Sequence, residues 1–303
     1  MKKSIAIIAA LLCLFLCGCP RQAPAESLPE TSVSTQPSLN VPQSVLKVHF
    51  IDVGHADCIL LECDNSFALV DGGNAEDGKL IVEYLKKQGV QKLNLVVGTH
   101  PHEDHIGGLP TVMDHFPVSN VWFSATPYTN HVVRSFLSSA EAQDEPVQQV
   151  QPGQVFHLGR TTITVLGPVK TDYEDVNDLS LVLMVQFGET RFLLTGDMEQ
   201  IAETDLLDSG ADVKADVLKV GHHGSYSSTG YRFLWNVMPK YAVIFCEKNN
   251  EYGHPHDGPM SRLRDAEVEV FRTDRMSHIV AVSDGKNITF SWANQQNTLS
   301  NAA

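Results

Sequence analysis

The segment LNLVVGTHPHEDHIGG, residues 93–108, gives the strongest indication of the fold. It begins as a short apolar run typical of a buried strand and ends in a loop that carries His100, His102, Asp104 and His105. His100 and His102 alternate, so an extended turn lets both imidazoles face one ion, while Asp104 and His105 can face a second. Imidazoles with a carboxylate suit Zn²⁺, Mn²⁺ or Fe²⁺ better than Ca²⁺ or Mg²⁺.

The segments around this loop follow a plan that occurs twice. In the first half, β-branched runs at 45–54, 57–63 and 66–73 predict strands that end in an Asp71 turn, before a helix at 79–90 and the strand that leads to the histidines. In the second half, strands at 161–168, 179–188 and 190–197 end in Asp197, before a helix at 198–210 and a strand at 215–221 that leads to His222 and His223. This repetition predicts two β-rich sheets packed face to face with helices outside.

The two ends of the chain differ from the rest in composition. Met1, Lys2 and Lys3 precede an apolar run that ends in Leu16-Cys17-Gly18-Cys19, which is typical of an export signal and resembles a bacterial lipobox. We therefore predict a signal peptide over 1–18, lipidation of Cys19, a Pro/Ser/Thr-rich disordered tether over 19–44, a folded domain over 45–295 and a flexible tail over 296–303. The expected location is the outer face of a bacterial membrane.

Composition restricts the function classes further. The formal net charge is −14 at pH 7 and becomes −16 once the two signal-peptide lysines are lost, which argues against a broad basic surface for nucleic acid. The net charge does not exclude a local basic groove near His222. Several cations cluster there in sequence: Lys214, Lys219, Arg232, Lys240 and Lys248. Beyond the signal, no apolar stretch approaches about 20 residues, which argues against a channel. Cys58, Cys63 and Cys246 indicate neither a disulfide framework nor a cysteine zinc site.

The loop motif THPHEDHIGG resembles the HxHxDH signature of the metallo-β-lactamase superfamily. The resemblance covers about residues 46–293, because Asp71, Asp197 and His222 follow in the order of that superfamily's supporting aspartate, bridging aspartate and last histidine. It implies a four-layer αββα sandwich, a mixed α/β fold built from two similar halves, with a site for two divalent metal ions, zinc or manganese, at one edge.

The resemblance also implies a role for each matching residue. His100 and His102 would bind the first metal, Asp104, His105 and His222 the second, and Asp197 would bridge them. His223 is the alternative to His222 as ligand. Asp71 would orient a ligand from behind, or it would only satisfy the amides of its turn.

One position departs from the superfamily pattern. Most superfamily hydrolases carry a further histidine between the loop and the bridging aspartate, but here the interval offers VNDLSLVL, with Asn177 and Ser180. That stretch, together with KVGHHGS and GHPH, resembles the hydrolase domain of ComEC-type DNA-uptake channels and its free-standing relatives. The first metal would then lack one ligand, which disfavours tight zinc binding at both positions and adds manganese as an alternative. Ser225, His254 and His256 are candidate substrate contacts in these motifs.

The predicted mechanism is hydrolysis by a metal-activated water. Asp104 would orient the water, and His223, His254 or His256 would protonate the leaving oxygen. The leading hypothesis is a hydrolase of phosphodiesters, with DNA or a small phosphodiester as substrate. The alternatives are a β-lactam or lactone hydrolase, and a non-catalytic envelope lipoprotein in which the metal is structural. The sequence predicts no protein partner.

Overall fold

A computed structural model describes residues 44–124, 129–143 and 146–293. The predicted signal peptide, lipidation site and C-terminal tail, and the predicted tether up to residue 43, lie outside the described residues. Within the described ranges, no helix is long and apolar enough to cross a membrane.

The described residues form fifteen strands in two mixed sheets. Their bounds are β1 (Leu46–Phe50), β2 (Ile59–Cys63), β3 (Ser66–Val70), β4 (Leu95–Gly98), β5 (Val121–Phe123), β6 (Val147–Gln149), β7 (Val155–Leu158), β8 (Thr161–Gly167), β9 (Val182–Phe187), β10 (Thr190–Leu194), β11 (Val217–Lys219), β12 (Tyr241–Ile244), β13 (Glu269–Arg272), β14 (Ile279–Ser283) and β15 (Ile288–Trp292). In the described part of the chain, the first sheet has the order β15-β14-β1-β2-β3-β4-β5-β6 and the second has the order β13-β12-β11-β10-β9-β8-β7.

Helices connect the parallel strands of each sheet. They are α1 (Gly78–Lys87), α2 (Glu103–Ile106), α3 (Leu109–Met113), α4 (His131–Glu141), α5 (Gln200–Asp208), α6 (Tyr231–Val237), α7 (Asp257–Asp265) and α8 (Thr273–Met276). Strands β1, β2 and β3 pair antiparallel, and β3, β4, β5 and β6 pair parallel. In the second sheet, strands β7 to β10 pair antiparallel and strands β10 to β13 pair parallel, so the same change is repeated. The predicted two-half plan is confirmed.

The hydrophobic core lies in three layers because side chains alternate along each strand. Leu61 of β2 and Val97 of β4 face the second sheet and pack with Val185 of β9 and Phe192 of β10 in one cluster between the sheets. Residues of opposite parity, such as Leu60 and Val96, pack against α1, α3 and α4 on the outer face of the first sheet. Helices α5, α6 and α7 cover the outer face of the second sheet in the same way. The result is the predicted αββα sandwich.

The end of the chain closes the first sheet. After β13 completes the second sheet, β14 crosses back and pairs antiparallel with β1, and β15 pairs with β14. The parallel strands β4, β10 and β11 all lead into loops at one edge of the sandwich. This edge collects the histidines and aspartates that the sequence analysis singled out.

Candidate metal centre

Four side chains from three loops converge at this edge. Asp104 and His105 begin α2 directly after β4, Asp197 follows β10, and His223 follows β11. His105 Nε2 lies 3.2 Å from Asp197 Oδ2 and 3.5 Å from Asp104 Oδ2. His223 Nε2 lies 3.2 Å from Asp104 Oδ2 and 3.5 Å from Asp197 Oδ2. One ligand atom from each of the four residues lies within 4.8 Å of every other.

These spacings fit a bound metal ion. Ligand atoms that surround a zinc ion tetrahedrally at 2.0–2.1 Å are separated from one another by about 3.3 Å, close to the distances between the four residues. His105 Nε2 is buried and has no hydrogen-bond partner, as expected of a lone pair reserved for a metal. Two imidazoles and two carboxylates form a donor set suited to Zn²⁺, Mn²⁺ or Fe²⁺. The residues present therefore fit a divalent ion.

The charge balance of the site also favours a cation. The carboxylates of Asp57, Asp71 and Asp197 are buried, and Asp104 is half-buried beside them. Among the described residues, Lys219 is the single lysine or arginine in an ion pair with any of these four carboxylates. A buried excess of negative charge is costly unless cations compensate it.

The pKa values reflect the same imbalance. Burial lowers the pKa of His105, but the carboxylates of Asp197, Asp104 and Asp71 outweigh that effect and raise the pKa well above its usual value. Burial likewise lowers the pKa of His223, but Asp197 and Asp104 raise it to about 9. In the metal-free protein these two imidazoles would therefore take up protons, which supply part of the positive charge that the carboxylates demand.

Asp71 holds His105 from behind. Asp71 Oδ2 lies 2.9 Å from His105 Nδ1, while its two oxygens accept hydrogen bonds from the backbone amide and the hydroxyl of Thr99, both at 2.8 Å. This contact fixes the ring so that Nε2 faces the cluster. The loop can approach the Asp71 turn because Gly108 has no side chain; a Cβ there would lie 2.2 Å from the Gly72 carbonyl oxygen.

Lys219 is a site residue that the sequence analysis assigned to the wrong environment. Its side chain is fully buried, and Nζ lies 2.5 Å from Asp57 Oδ2, 2.8 Å from the Gly196 carbonyl oxygen and 3.5 Å from Asp197 Oδ1. Burial lowers the pKa of Lys219, but the carboxylates of Asp57 and Asp197 outweigh it and raise the pKa, so the ammonium stays charged. The signal in the sequence was a lone lysine within the apolar strand ADVLKVG.

The five cations that cluster around His222 in the sequence do not assemble into a basic groove. Lys219 points into the protein, Arg232 is paired with Asp208, and Lys240 lies 3.4 Å from Asp216 at the surface. Of the five cations, Lys248 lines the cleft above the metal cluster. These residues are close in sequence but lie at the end of a strand, on a helix and in separate loops, so their side chains diverge.

His100 and His102 lie beside the four-residue cluster. The His100 ring centroid is 4.1 Å from that of His105, and His100 Nε2 lies 3.0 Å from His102 Nδ1. Ser180 connects this pair to the cluster: its hydroxyl lies 3.4 Å from His100 Nδ1 and accepts a 3.0 Å hydrogen bond from the amide of Asp197. The imidazole nitrogens of His100 and His102 therefore lie next to the four-residue cluster.

The structure places His223, rather than the predicted His222, with the cluster. Both residues have left-handed backbone conformations, with φ of 46° and 52°, so the chain turns sharply and the second ring faces the sheet edge. His223 Nδ1 lies 3.2 Å from the Phe245 carbonyl oxygen, which orients the ring. His222 turns away, and its Nδ1 lies 2.9 Å from Glu199 Oε1. Sequence order along the turn did not reveal this reversal.

Asn177 lies near His222. Its amide nitrogen lies 3.4 Å from His222 Nδ1, and its buried carbonyl oxygen has no hydrogen-bond partner. Ser225 is buried in the turn after His223, with its hydroxyl 2.9 Å from that of Ser227. The environment of Ser225 is that of a turn residue, and it does not line the cleft described below.

A cleft of about 730 Å³ opens above the cluster. Asp104, His222, His223 and His254 contribute to its walls, whereas His256 lies outside and accepts a 3.0 Å hydrogen bond from the amide of Tyr226. His254 Nδ1 lies 3.2 Å from His55 Nε2. Burial, followed by the neighbouring rings of His55 and His222, lowers the pKa of His254 to about 3. His254 is therefore neutral at pH 7 and suited to donating a hydrogen bond rather than a proton.

Comparison with known proteins identifies the class. Residues 51–247 match the metallo-β-lactamase superfamily. The chain therefore belongs to this superfamily of metal-dependent hydrolases. Within it, the chain is similar to ComE operon protein 3 of Bacillus subtilis (strain 168), with 33% identity over 197 residues that cover 65% of this chain and 25% of that protein. Competence protein ComA of Neisseria gonorrhoeae is 30% identical over 272 residues, 89% of this chain and 37% of that protein.

The chain thus spans a quarter to about two fifths of the length of these two relatives. Recombination protein 2 of Haemophilus influenzae shows the same relation, with 29% identity over 72% of this chain and 26% of that protein. These matches confirm the predicted similarity to ComEC-type proteins.

Solved structures confirm the fold. The metallo-β-lactamase fold protein YhfI from Bacillus subtilis superposes with a TM-score of 0.55 at 16% identity, over 79% of this chain and all of that one. CmlA, a diiron β-hydroxylase from Streptomyces venezuelae, superposes with a TM-score of 0.52 at 14% identity, over 83% of this chain and 54% of that one. Because one of these structures is a hydroxylase, the fold alone does not define the reaction.

Proposed function

We propose that this protein is a metal-dependent phosphodiesterase that acts on nucleic acid or on a small phosphodiester. The observation that carries the proposal is the cluster of Asp104, His105, Asp197 and His223 at the floor of an open cleft. His100 and His102 stand beside it as donors for a second ion of zinc or manganese. The names of the relatives, competence and recombination proteins, support a substrate of the nucleic-acid class.

The residues of the chain define the roles around the reacting group. Divalent ions held by the cluster would supply an activated water and neutralise charge on the phosphoryl group. Asp104 belongs to both the cluster and the cleft wall, and its side chain is 29% exposed, so its carboxylate is placed to orient the attacking water. Asp71 and Lys219 hold His105, Asp57 and Asp197 in place from beneath. His254, a neutral imidazole on the cleft wall, can donate a hydrogen bond to the substrate.

The direct test is cleavage of end-labelled single- and double-stranded DNA by the purified chain, stripped of metal and then supplied with Mn²⁺ or Zn²⁺. The matched control is Asp104→Asn, which keeps the shape of the side chain but removes its charge. Cleavage that requires metal and disappears in the variant is the expected result. Intact DNA with metal bound would overturn the nuclease proposal and direct the search to small phosphodiesters, and then to lactones and β-lactams.

We further propose that the enzyme works at the outer face of a bacterial membrane, attached through a lipid on Cys19. The support is the charged and apolar N-terminal sequence that ends in Leu16-Cys17-Gly18-Cys19. Replacing Cys19 by Ala should release the protein from membranes into the soluble fraction. Retention of the Cys19→Ala variant in washed membranes would contradict the proposal.

A further inference from the structure

An exposed aromatic ring stands at the mouth of the cleft. Tyr252 lines the cleft, yet 59% of the residue is open to solvent. Its ring stacks on the imidazole of His55, with centroids 5.0 Å apart and an interplanar angle of 17°. It also lies nearly parallel to the ring of His254, at 5.7 Å and 21°. What distinguishes Tyr252 from the other exposed aromatic residues, Tyr226, Tyr231 and Trp235, is that it lines the cleft and stacks on a second ring there.

The stack continues inward to the metal cluster. The His55 ring lies 4.4 Å from that of His223 at an angle of 40°, and the His254 ring lies 6.4 Å from that of His223 at 21°. Tyr252 is therefore the outermost member of a series of π faces that ends at a cluster ligand. A flat group laid on the exposed side of Tyr252 would continue the series within the cleft that Asp104, Asp197 and His223 also line.

The charges at the cleft mouth do not suit a long phosphate backbone. Among the described residues that line the cleft, Lys248 is the single lysine or arginine, and Glu103, Glu247 and Glu251 lie on the same walls. A groove that tracks single strands through their phosphates would carry several cations. Recognition in this cleft must therefore depend more on the base than on neighbouring phosphates.

We infer that Tyr252, supported by His55 and His254, is a stacking platform for an unpaired nucleobase next to the scissile phosphate. The inference rests on the proposed phosphodiesterase function and narrows its substrate to nucleotide diesters with an unstacked base, as in single strands or strand ends. Aromatic side chains bind bases of any sequence because every base has a π face. In a duplex, the base is already stacked on its neighbours, so a paired substrate would first have to be opened.

The test compares two diesters that share the 4-nitrophenol leaving group. One is thymidine 5′-(4-nitrophenyl phosphate), the other its abasic tetrahydrofuran analogue, and the corresponding 3′ isomers are assayed as a second pair. Each is offered to the full chain with Mn²⁺, as wild type, Tyr252→Phe and Tyr252→Leu. Trp235→Leu is the matched control, since Trp235 is 71% exposed on α6 and does not line the cleft.

We expect the wild type to favour the thymidine diester over its abasic analogue by about 5- to 150-fold in kcat/KM for at least one isomer pair, the range of a single base stack. Tyr252→Leu should abolish this preference by slowing the thymidine diester alone, while Tyr252→Phe and Trp235→Leu should keep it. Equal rates on both diesters in the wild type, or an equal loss on both in Tyr252→Leu, would overturn the inference and leave the phosphodiesterase proposal intact.

A binding experiment separates the two proposals if no diester is hydrolysed. Fluorescently labelled oligothymidylate and an abasic oligomer of equal length are titrated with Asp104→Asn, with and without Tyr252→Leu. Tighter binding of oligothymidylate that requires Tyr252 would support the platform while the phosphodiesterase proposal fails. Equal binding of both oligomers would overturn the platform as well.

Discussion

The buried lysine beneath the metal cluster offers the sharpest test of how the site is held together. In Lys219→Met, the apolar stem is kept and the ammonium is lost, which removes the 2.5 Å ion pair with Asp57 and the 2.8 Å hydrogen bond to the Gly196 carbonyl oxygen. Removing one partner of a buried ion pair costs about 3–5 kcal/mol, because the remaining charge stays desolvated. For a domain of this size we expect the midpoint of thermal unfolding to fall by roughly 6–20 °C.

The quantity to measure is the free energy of unfolding, obtained by urea denaturation. The protein is first treated with a chelator, because bound metal would add its own stabilisation of the folded state. The matched control is Lys240→Met, which removes a lysine paired with Asp216 at 3.4 Å but 73% exposed at its side chain. An exposed pair of this kind contributes about 0–1 kcal/mol. If Lys219→Met and Lys240→Met lower the free energy of unfolding equally, the assignment of Lys219 as the compensating charge is refuted.

Three further predictions concern the metal ligands and a buried acid. Asp71→Asn should weaken metal binding by about 10- to 100-fold in a chelator competition, since His105 loses its orienting carboxylate. His223→Asn should lower the metal content measured by atomic absorption, whereas His222→Asn should retain it; equal losses would contradict the ligand assignment. Glu203 accepts a 2.9 Å hydrogen bond from the Gly230 amide, and burial raises its pKa from 4.5 to about 7. Its stabilising contribution is therefore complete below about pH 4.5 and is lost as pH rises through 7, by up to about 3 kcal/mol, and Glu203→Gln should remove that dependence from urea-unfolding free energies. The prediction would be contradicted if the wild-type free energy of unfolding did not decrease from pH 4.5 to pH 7 relative to that of Glu203→Gln.

The repeated plan was predictable because it depends on local patterns. Short apolar runs such as 66–70 and 190–194 place successive side chains on two faces, and both faces are covered in the structure. The return of β14 to pair with β1 was not predictable in the same way. That pairing joins residues about 230 positions apart, and neither strand carries a local signal for its partner.

The site was predictable where ligands lie close together in sequence and less so where they do not. Asp104 and His105 share a loop with a distinctive motif, whereas the choice between His222 and His223 depends on backbone angles of a tight turn. Lys219 was misread because a charged residue in a strand looks like a surface residue until its partners are known. The aromatic face of the cleft was missed because His55 and Tyr252 meet only in the folded protein.

The division of the metal ligands between the two halves also has a consequence for biosynthesis. Four of the ligand-type residues, from His100 to His105, leave the ribosome roughly 90 to 120 residues before Asp197 and His223. A nascent chain that has only its first half therefore lacks two of the four residues of the cluster. The complete cluster forms only when the second half has been made and has packed against the first, so the proposed phosphodiesterase activity would begin only after the whole domain has been synthesised.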